Sequence, residues 1–214
     1  MKRRDFSAVV GVGTLGLLNQ SDAWAQTYGK EYEKVDPAVP TNLAAGKIQV
    51  IEFFGYWCVH CYSFEPALEA WISKAPANVS FTRVHVAFRP KHKTLQHLFI
   101  ALETSGQLSK WHAKVFEGIF IKQMKIETDA DVAEFMKANG ASAAEATKMM
   151  ELVSSSQVST KATQAEQLAK DYKLDGIPTL VIGGKFKTSP SLAGGEAQAI
   201  KVLESLVAKV SASK

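Results

Sequence analysis

Apolar and polar positions follow two different periods along this chain, and the switch between them divides it. Lys47 to Phe54 is a nearly continuous β-branched and aromatic run, the pattern of a strand covered on both faces. Val59 to Lys74 reads as a helix, with Pro66 expected to kink it. Val79 to Phe88 alternates, with Phe81, Val84, Val86 and Phe88 apolar, which predicts a second strand ended by Pro90. From Thr94 to Tyr172 the spacing becomes helical. Leu95, Leu98, Phe99 and Leu102 form one stripe, and Trp111, Val115, Phe116 and Ile119 another. Asp129 to Ala138 and Ala143 to Val153 read as short helices divided by Asn139-Gly140, a good C-cap. Ser159 to Tyr172 reads as a longer polar helix with Ala162, Ala165, Leu168 and Ala169 inward. The strand period returns at Pro178 to Ile182, followed by a Gly183-Gly184 turn and Lys185 to Lys187 as the other arm of a hairpin. Glu196 to Val210 is a last amphipathic helix. Ahead of all this, 26–45 is a polar lead-in with Pro37 and Pro40, and one short edge strand is expected near Tyr32 to Val35.

Strand, helix, strand, helical block, hairpin, helix is the order of a small α/β sheet domain interrupted by a helical one. The expected boundaries are 26–90 with 173–214 for the discontinuous sheet domain and 91–172 for the helical insertion. Residues 1–25 read differently. Met1-Lys2-Arg3-Arg4 is basic, and the apolar stretch Phe6 to Leu18 is shorter than the roughly twenty residues a membrane-spanning helix needs. Ala23-Trp24-Ala25 places small residues where a signal peptidase reads them, so an export signal cleaved after Ala25 is expected. Arg3-Arg4-Asp5-Phe6 resembles a twin-arginine signal. Gly11-Val12-Gly13-Thr14-Leu15-Gly16 matches a dinucleotide-binding pattern but lies inside this apolar segment, with no strand before it. A net charge of +4, with lysines spread among glutamates, excludes a nucleic-acid surface.

Cys58 and Cys61 are the only two cysteines in 214 residues. They fall where the buried strand gives way to the helix. A thiol at a helix N-terminus faces unpaired N–H groups and the positive end of the helix dipole, so its thiolate is favoured. A second thiol one turn on can close a small disulfide with it. Taken alone, a Cys-x-x-Cys pair is a redox switch, half of a zinc site, or chance. Zinc would need two more ligands, and among the five histidines only His92 and His97 are suitably spaced. A purely structural disulfide would close too small a loop to stabilise much. The redox reading leads, in a compartment where disulfides persist.

With its flanks, the chain resembles the DsbA-type periplasmic disulfide oxidases, a thioredoxin fold with an inserted helical domain. The resemblance rests on Glu52-Phe53-Phe54 with Cys58, His60 and Cys61, on Phe64-Glu65, on Arg83-Val84-His85-Val86, and on Gly176-Ile177-Pro178-Thr179 ahead of a Gly-Gly hairpin. It covers essentially everything after the export segment. It implies an exposed nucleophile at Cys58 and a buried partner at Cys61. His60 is expected to donate a hydrogen bond or positive charge to the Cys58 thiolate. Ile177-Pro178 resembles the family's cis-proline loop, with Ile177 backbone groups pairing with an extended substrate. Glu52, an acid inside an apolar strand, must be paired or protonated. The resemblance places it in a charged cluster with Glu65 and Arg83, handling protons. Tyr56 and Trp57 are expected to line the substrate groove. Val59 stands where the best-known members have proline. That dipeptide tunes the potential, with about 30 mV equivalent to about 1.4 kcal/mol.

The expectation is therefore a monomeric periplasmic thiol oxidase with broad choice of reduced or unfolded exported proteins. A DsbB-type, quinone-linked membrane reoxidase would be its partner. No metal and no cofactor is called for, since the cysteine pair is itself the redox group. A disulfide reductase or isomerase is the alternative, although too few residues precede the first buried strand for an isomerase's dimerisation domain. A non-enzymatic peptide- or metal-binding module is the third reading.

Overall fold

The computed structural model describes residues 29–213. The expected export signal, its cleavage point, its arginine pair and the glycine pattern at 11–16 lie outside them. Five strands form one mixed sheet: β1 (Glu33–Lys34), β2 (Ile48–Phe54), β3 (Val79–His85), β4 (Thr179–Ile182) and β5 (Phe186–Thr188), in the order β1-β5-β4-β2-β3. β2 is parallel to β3 and antiparallel to β4, and β5 is antiparallel to both β4 and β1. The hydrophobicity of β2 follows from this position, because it is paired on both edges and covered on both faces.

The helices are α1 (Val59–Ile72), α2 (Lys93–Thr104), α3 (Leu108–Phe120), α4 (Asp129–Ala138), α5 (Ala143–Val153), α6 (Ser156–Asp171), α7 (Pro190–Ala193) and α8 (Glu196–Ala212). α2 to α6 all fall between β3 and β4. α1 runs unbroken through Pro66. α4 and α5 both begin at capping boxes, Thr128 with Asp131 and Ser142 with Glu145, which is why their limits match the expected ones. α6 starts three residues before the expected Ser159, because the Ser155 hydroxyl caps it by accepting from Val158 N. Short α7, capped by Ser189 with Pro190 in its first turn, had no periodic signal to announce it.

β3 ends at His85, short of the expected Phe88. Its partner β2 turns away after Phe54, and Val86 N makes the last bond, to Phe54 O at 2.9 Å. Phe88 is left 48% exposed. The second hairpin arm also starts one residue late. Gly183 and Gly184 both have positive φ (59° and 67°) and form a two-residue turn closed by Lys185 N to Ile182 O at 3.1 Å.

Apolar residues gather in three buried clusters. One unites Phe54, Tyr56, Cys58 and Cys61 with α2 to α6. A second packs Ile48, Val50, Leu180 and Ile182 against α1 and α8, and a third covers Ile51, Phe53 and Val181 with the end of α6 and Tyr172. On the α1 face of β2, Glu52 therefore lies between Val50 of the second cluster and Phe54 of the first. Of the inward face expected for α6, Ala162 is buried, while Ala165, Leu168 and Ala169 are half-buried.

Gly184 ties the lead-in to the hairpin: its carbonyl accepts from Val39 N at 2.9 Å, and a Cβ there would collide with the Val39 carbonyl. Gly184→Ala is expected to lower stability by about 1–3 kcal/mol, read as a lower urea midpoint. An unchanged midpoint would show that the approach is not required.

Candidate active site

β2 delivers the chain into a turn at Gly55, where Cys58 N donates to Gly55 O at 3.0 Å. Cys58 is then the N-cap of α1, in extended conformation (φ −97°, ψ 113°). Its Sγ accepts from Cys61 N at 3.3 Å, taking the place an Asp or Ser oxygen fills at an ordinary cap. Both cysteines are free thiols. The Cys61 thiol also hydrogen-bonds to Cys58. That bond is the largest influence on Cys58 and outweighs burial; with backbone N–H groups and the His60 charge it holds the Cys58 pKa down, to about 6. Cys61 goes the other way. Burial, then the bond and charge of Cys58, push its thiol far up, and Glu52 adds to this. One thiol of the pair thus ionises near neutrality and the other stays protonated.

Cys58 is more enclosed than expected, at 6% exposure, and Cys61 is fully buried. The Cys58 thiol points at Ile177 O, 3.7 Å away. The Ile177–Pro178 peptide is cis. His60 is exposed and shares one groove with Gly176, Ile177, Pro178 and Thr179. Val59 is 52% exposed beside Cys58. Trp57 is half-buried, stacked on His92 with ring centroids 4.0 Å apart. Tyr56 does not line a groove. It is fully buried, in edge contact with Phe54 and Phe116.

Strand register builds the charged cluster. Glu52 and Arg83 are direct partners in the β2–β3 ladder, so both side chains leave the same face, toward α1. Arg83 Nε meets Glu52 Oε2 at 3.0 Å, and Nη2 meets Glu65 Oε1 and Glu69 Oε1, each at 2.7 Å. Glu52 has no exposed surface. Burial raises its pKa to about 8 against the pull of Arg83. Burial works the same way on Glu65, but a hydrogen bond from His112 and the Arg83 charge outweigh it and hold its pKa low. The cluster therefore holds a proton on Glu52 and a charge on Glu65.

Three further residues, His112, His85 and Gln96, complete the site without having been given a role in it beforehand. His112 Nε2 bonds Glu65 Oε1 at 3.0 Å, and its Nδ1 bonds Tyr56 Oη at 2.8 Å. The turn before Cys58 is thereby tied to the carboxylates. Tyr56 N donates to His85 Nε2 at 3.0 Å, and Gln96 Nε2 donates to His85 O at 2.8 Å. Burial, with the charges of His92 and His112, lowers the His85 pKa to about 3, so His85 is a neutral acceptor. His85 is a lone polar residue between Val84 and Val86, which was an available signal; Gln96 beside His97, and His112 between Lys110 and Lys114, carried none. His92 and His97 gather no further ligands: no group of three metal-binding side chains exists among the described residues.

A thioredoxin-type sheet, a helix capped by one cysteine of a pair, and a cis peptide bond against its sulfur define this site. Residues 49–207 match the model of the DSBA-like thioredoxin domain. The chain belongs to that family. Among curated relatives, thiol:disulfide interchange protein DsbA of Burkholderia cepacia is 35% identical over the full length of both chains. DsbA of Pseudomonas aeruginosa strain PAO1 is 32% identical over 98% of this chain and 97% of its own. The crystal structure of Pseudomonas aeruginosa DsbA superposes with a TM-score of 0.82 at 33% identity, covering 89% of this chain and 97% of that one. The DsbA-type α/β fold with helices inserted in a thioredoxin framework, and thiol:disulfide oxidoreductase chemistry, are thus those of this chain.

The ranking of influences on Cys58 predicts a graded response. Cys61→Ala should raise the Cys58 pKa more than His60→Ala does, both measured by thiolate absorbance against pH. Equal shifts, or none from Cys61→Ala, would contradict the ranking.

Proposed function

We propose that this protein is a periplasmic thiol oxidase that passes a Cys58–Cys61 disulfide to newly exported proteins. The observation that carries this reading is the Cys58 pKa of about 6 at the N-cap of α1. A stable thiolate is a good leaving group, and its stability favours the reduced enzyme, which makes the disulfide form oxidising. A substrate thiolate attacks Cys58 Sγ, the Cys58–Cys61 bond breaks, and Cys61 leaves with the electron pair. A second substrate thiolate then attacks the substrate sulfur of the mixed disulfide and releases Cys58 as thiolate. The substrate loses two electrons and gains a disulfide; the enzyme gains both.

Cys61 leaves into a buried, apolar place where its thiolate is disfavoured, so it needs a proton. Glu52 is the proton source in this reading, since it is buried, holds a proton near neutrality, and once ionised raises the proton affinity of Cys61. Ile177 backbone groups beside Cys58 pair with an extended substrate segment, with Pro178 holding the loop and Val59 and Trp57 flanking the sulfur. Main-chain pairing is tolerant of sequence, so reduced or unfolded exported proteins are taken broadly. A DsbB-type, quinone-linked membrane reoxidase restores the disulfide. Periplasmic location rests on the export-signal pattern at 1–25; no helix among the described residues is long and apolar enough to cross a membrane. The protein acts as a monomer, folded as a sheet domain (26–90 and 173–214) with a helical domain (91–172).

Oxidised protein mixed with a reduced, unfolded disulfide-containing protein should convert substrate thiols to disulfides mole for mole, and Cys58→Ser should abolish this. Glu52→Gln should slow the appearance of reduced enzyme about tenfold or more near pH 7, with the Cys58 pKa nearly unchanged. Substrate thiols that persist would refute the oxidase; an unaltered rate in Glu52→Gln would remove the carboxyl from the proton path.

A further inference from the structure

A second groove, of about 570 Å³, opens beside the active-site turn and shares no lining residue with the one at Ile177–Pro178. Trp57, immediately before Cys58, lines this groove, while His60, two residues after it, lines the other. The two flank the nucleophile.

The apolar wall of the second groove is fixed in advance. The Trp57 indole lies flat on His92, with 15° between ring planes, and its Nε1 donates to Val86 O at 3.3 Å. Gly55 makes room for it, since a Cβ there would stand 2.6 Å from that Nε1. Phe88, left exposed by the early end of β3, meets Trp57 edge-on at 5.7 Å. An aromatic surface already held in place loses little entropy when it binds, and such surfaces dominate peptide affinity.

The rim is cationic. Arg89, Lys91 and Lys125 are exposed around the groove against one lining carboxylate, Glu127. None of the three cations forms a salt bridge among the described residues. Asp131 faces Lys125, but its Oδ2 is engaged by the N–H groups of Glu127 and Thr128. His92 adds no charge at neutral pH: burial and the charges of Lys91 and Arg89 hold its pKa below the usual imidazole range.

We propose that this groove is a substrate subsite for an acidic segment next to the cysteine being oxidised. An aromatic or aliphatic side chain would rest on Trp57 and Phe88, with Asp or Glu facing Arg89, Lys91 and Lys125. The proposal rests on the thiol-oxidase reading and adds a charge preference to otherwise tolerant main-chain pairing.

The test uses single-turnover oxidation of three synthetic peptides by the oxidised full-length protein at low salt. Each peptide carries two cysteines and a phenylalanine, followed by two glutamates, two lysines or two serines. Charge complementarity of this kind predicts about tenfold faster reaction of the acidic peptide than the basic one, a ratio that falls with salt. K91E/K125E should invert the ratio. K148E/K170E removes the same net charge from exposed positions outside the groove and should leave the ratio nearly as it was. A ratio near one in an enzyme that oxidises all three peptides overturns the subsite alone. An equal change in both double variants does the same, by assigning the preference to overall charge. Failure to oxidise the serine peptide overturns the oxidase reading and the subsite with it.

Discussion

One sulfur placed where a helix needs a hydrogen-bond acceptor is the constraint on which the rest of this structure depends. Cys58 Sγ accepts from Cys61 N because Cys58 is the cap of α1, and the cap exists because β2 ends and turns at Gly55. The Cys58 pKa falls from 9.0 to about 6, which at about 1.4 kcal/mol per unit is on the order of 4 kcal/mol. The sign is definite. A thiol whose folded pKa is lowered stabilises the reduced fold fully above its unfolded pKa, and that stability is lost as pH falls through about 6. Oxidation removes the thiolate and the stabilisation together. Near pH 7, one unit above that pKa, about 1.4 kcal/mol of this acts, and by that much the disulfide is easier to give away.

Beneath the sulfur lies a polar layer between two apolar cores. Glu52 occupies a fully buried position on β2, and burial there would be prohibitive for an unpaired carboxylate. Arg83 is its ladder partner, α1 supplies Glu65 and Glu69, and α3 supplies His112. One guanidinium does not neutralise three carboxylates, and the deepest of them retains its proton. The same geometry that makes Glu52 expensive makes it useful, because a protonated acid near pH 7 is a proton donor.

Much of this was legible in the chain because the signals were local. Asn139-Gly140 divided α4 from α5, and the nearly continuous apolar run of β2 read as a strand covered on both sides. The cysteine pair, the Ile177-Pro178 step and the Glu52, Glu65 and Arg83 set stand together as the resemblance implied. What could not be read was set by partners distant in sequence. Phe88 continued the alternation of β3, yet it is exposed because β2 had already turned away. Tyr56 looked like a groove residue, yet it lies inside because His112, on α3, offers its hydroxyl a partner. His85, Gln96 and His112 each look incidental along the chain, and only tertiary packing joins them to the active-site turn.

The central claim, that the thiolate held at the start of α1 makes the disulfide strongly oxidising, is most directly tested by equilibrating the purified protein with glutathione and measuring the oxidised fraction across pH 5 to 9. The account predicts a mostly reduced pair even in oxidising mixtures near pH 7, with a bias that grows toward pH 9 and shrinks to little by about pH 6. A pair that stays oxidised in reducing mixtures, as a thioredoxin-like reductase would, contradicts it.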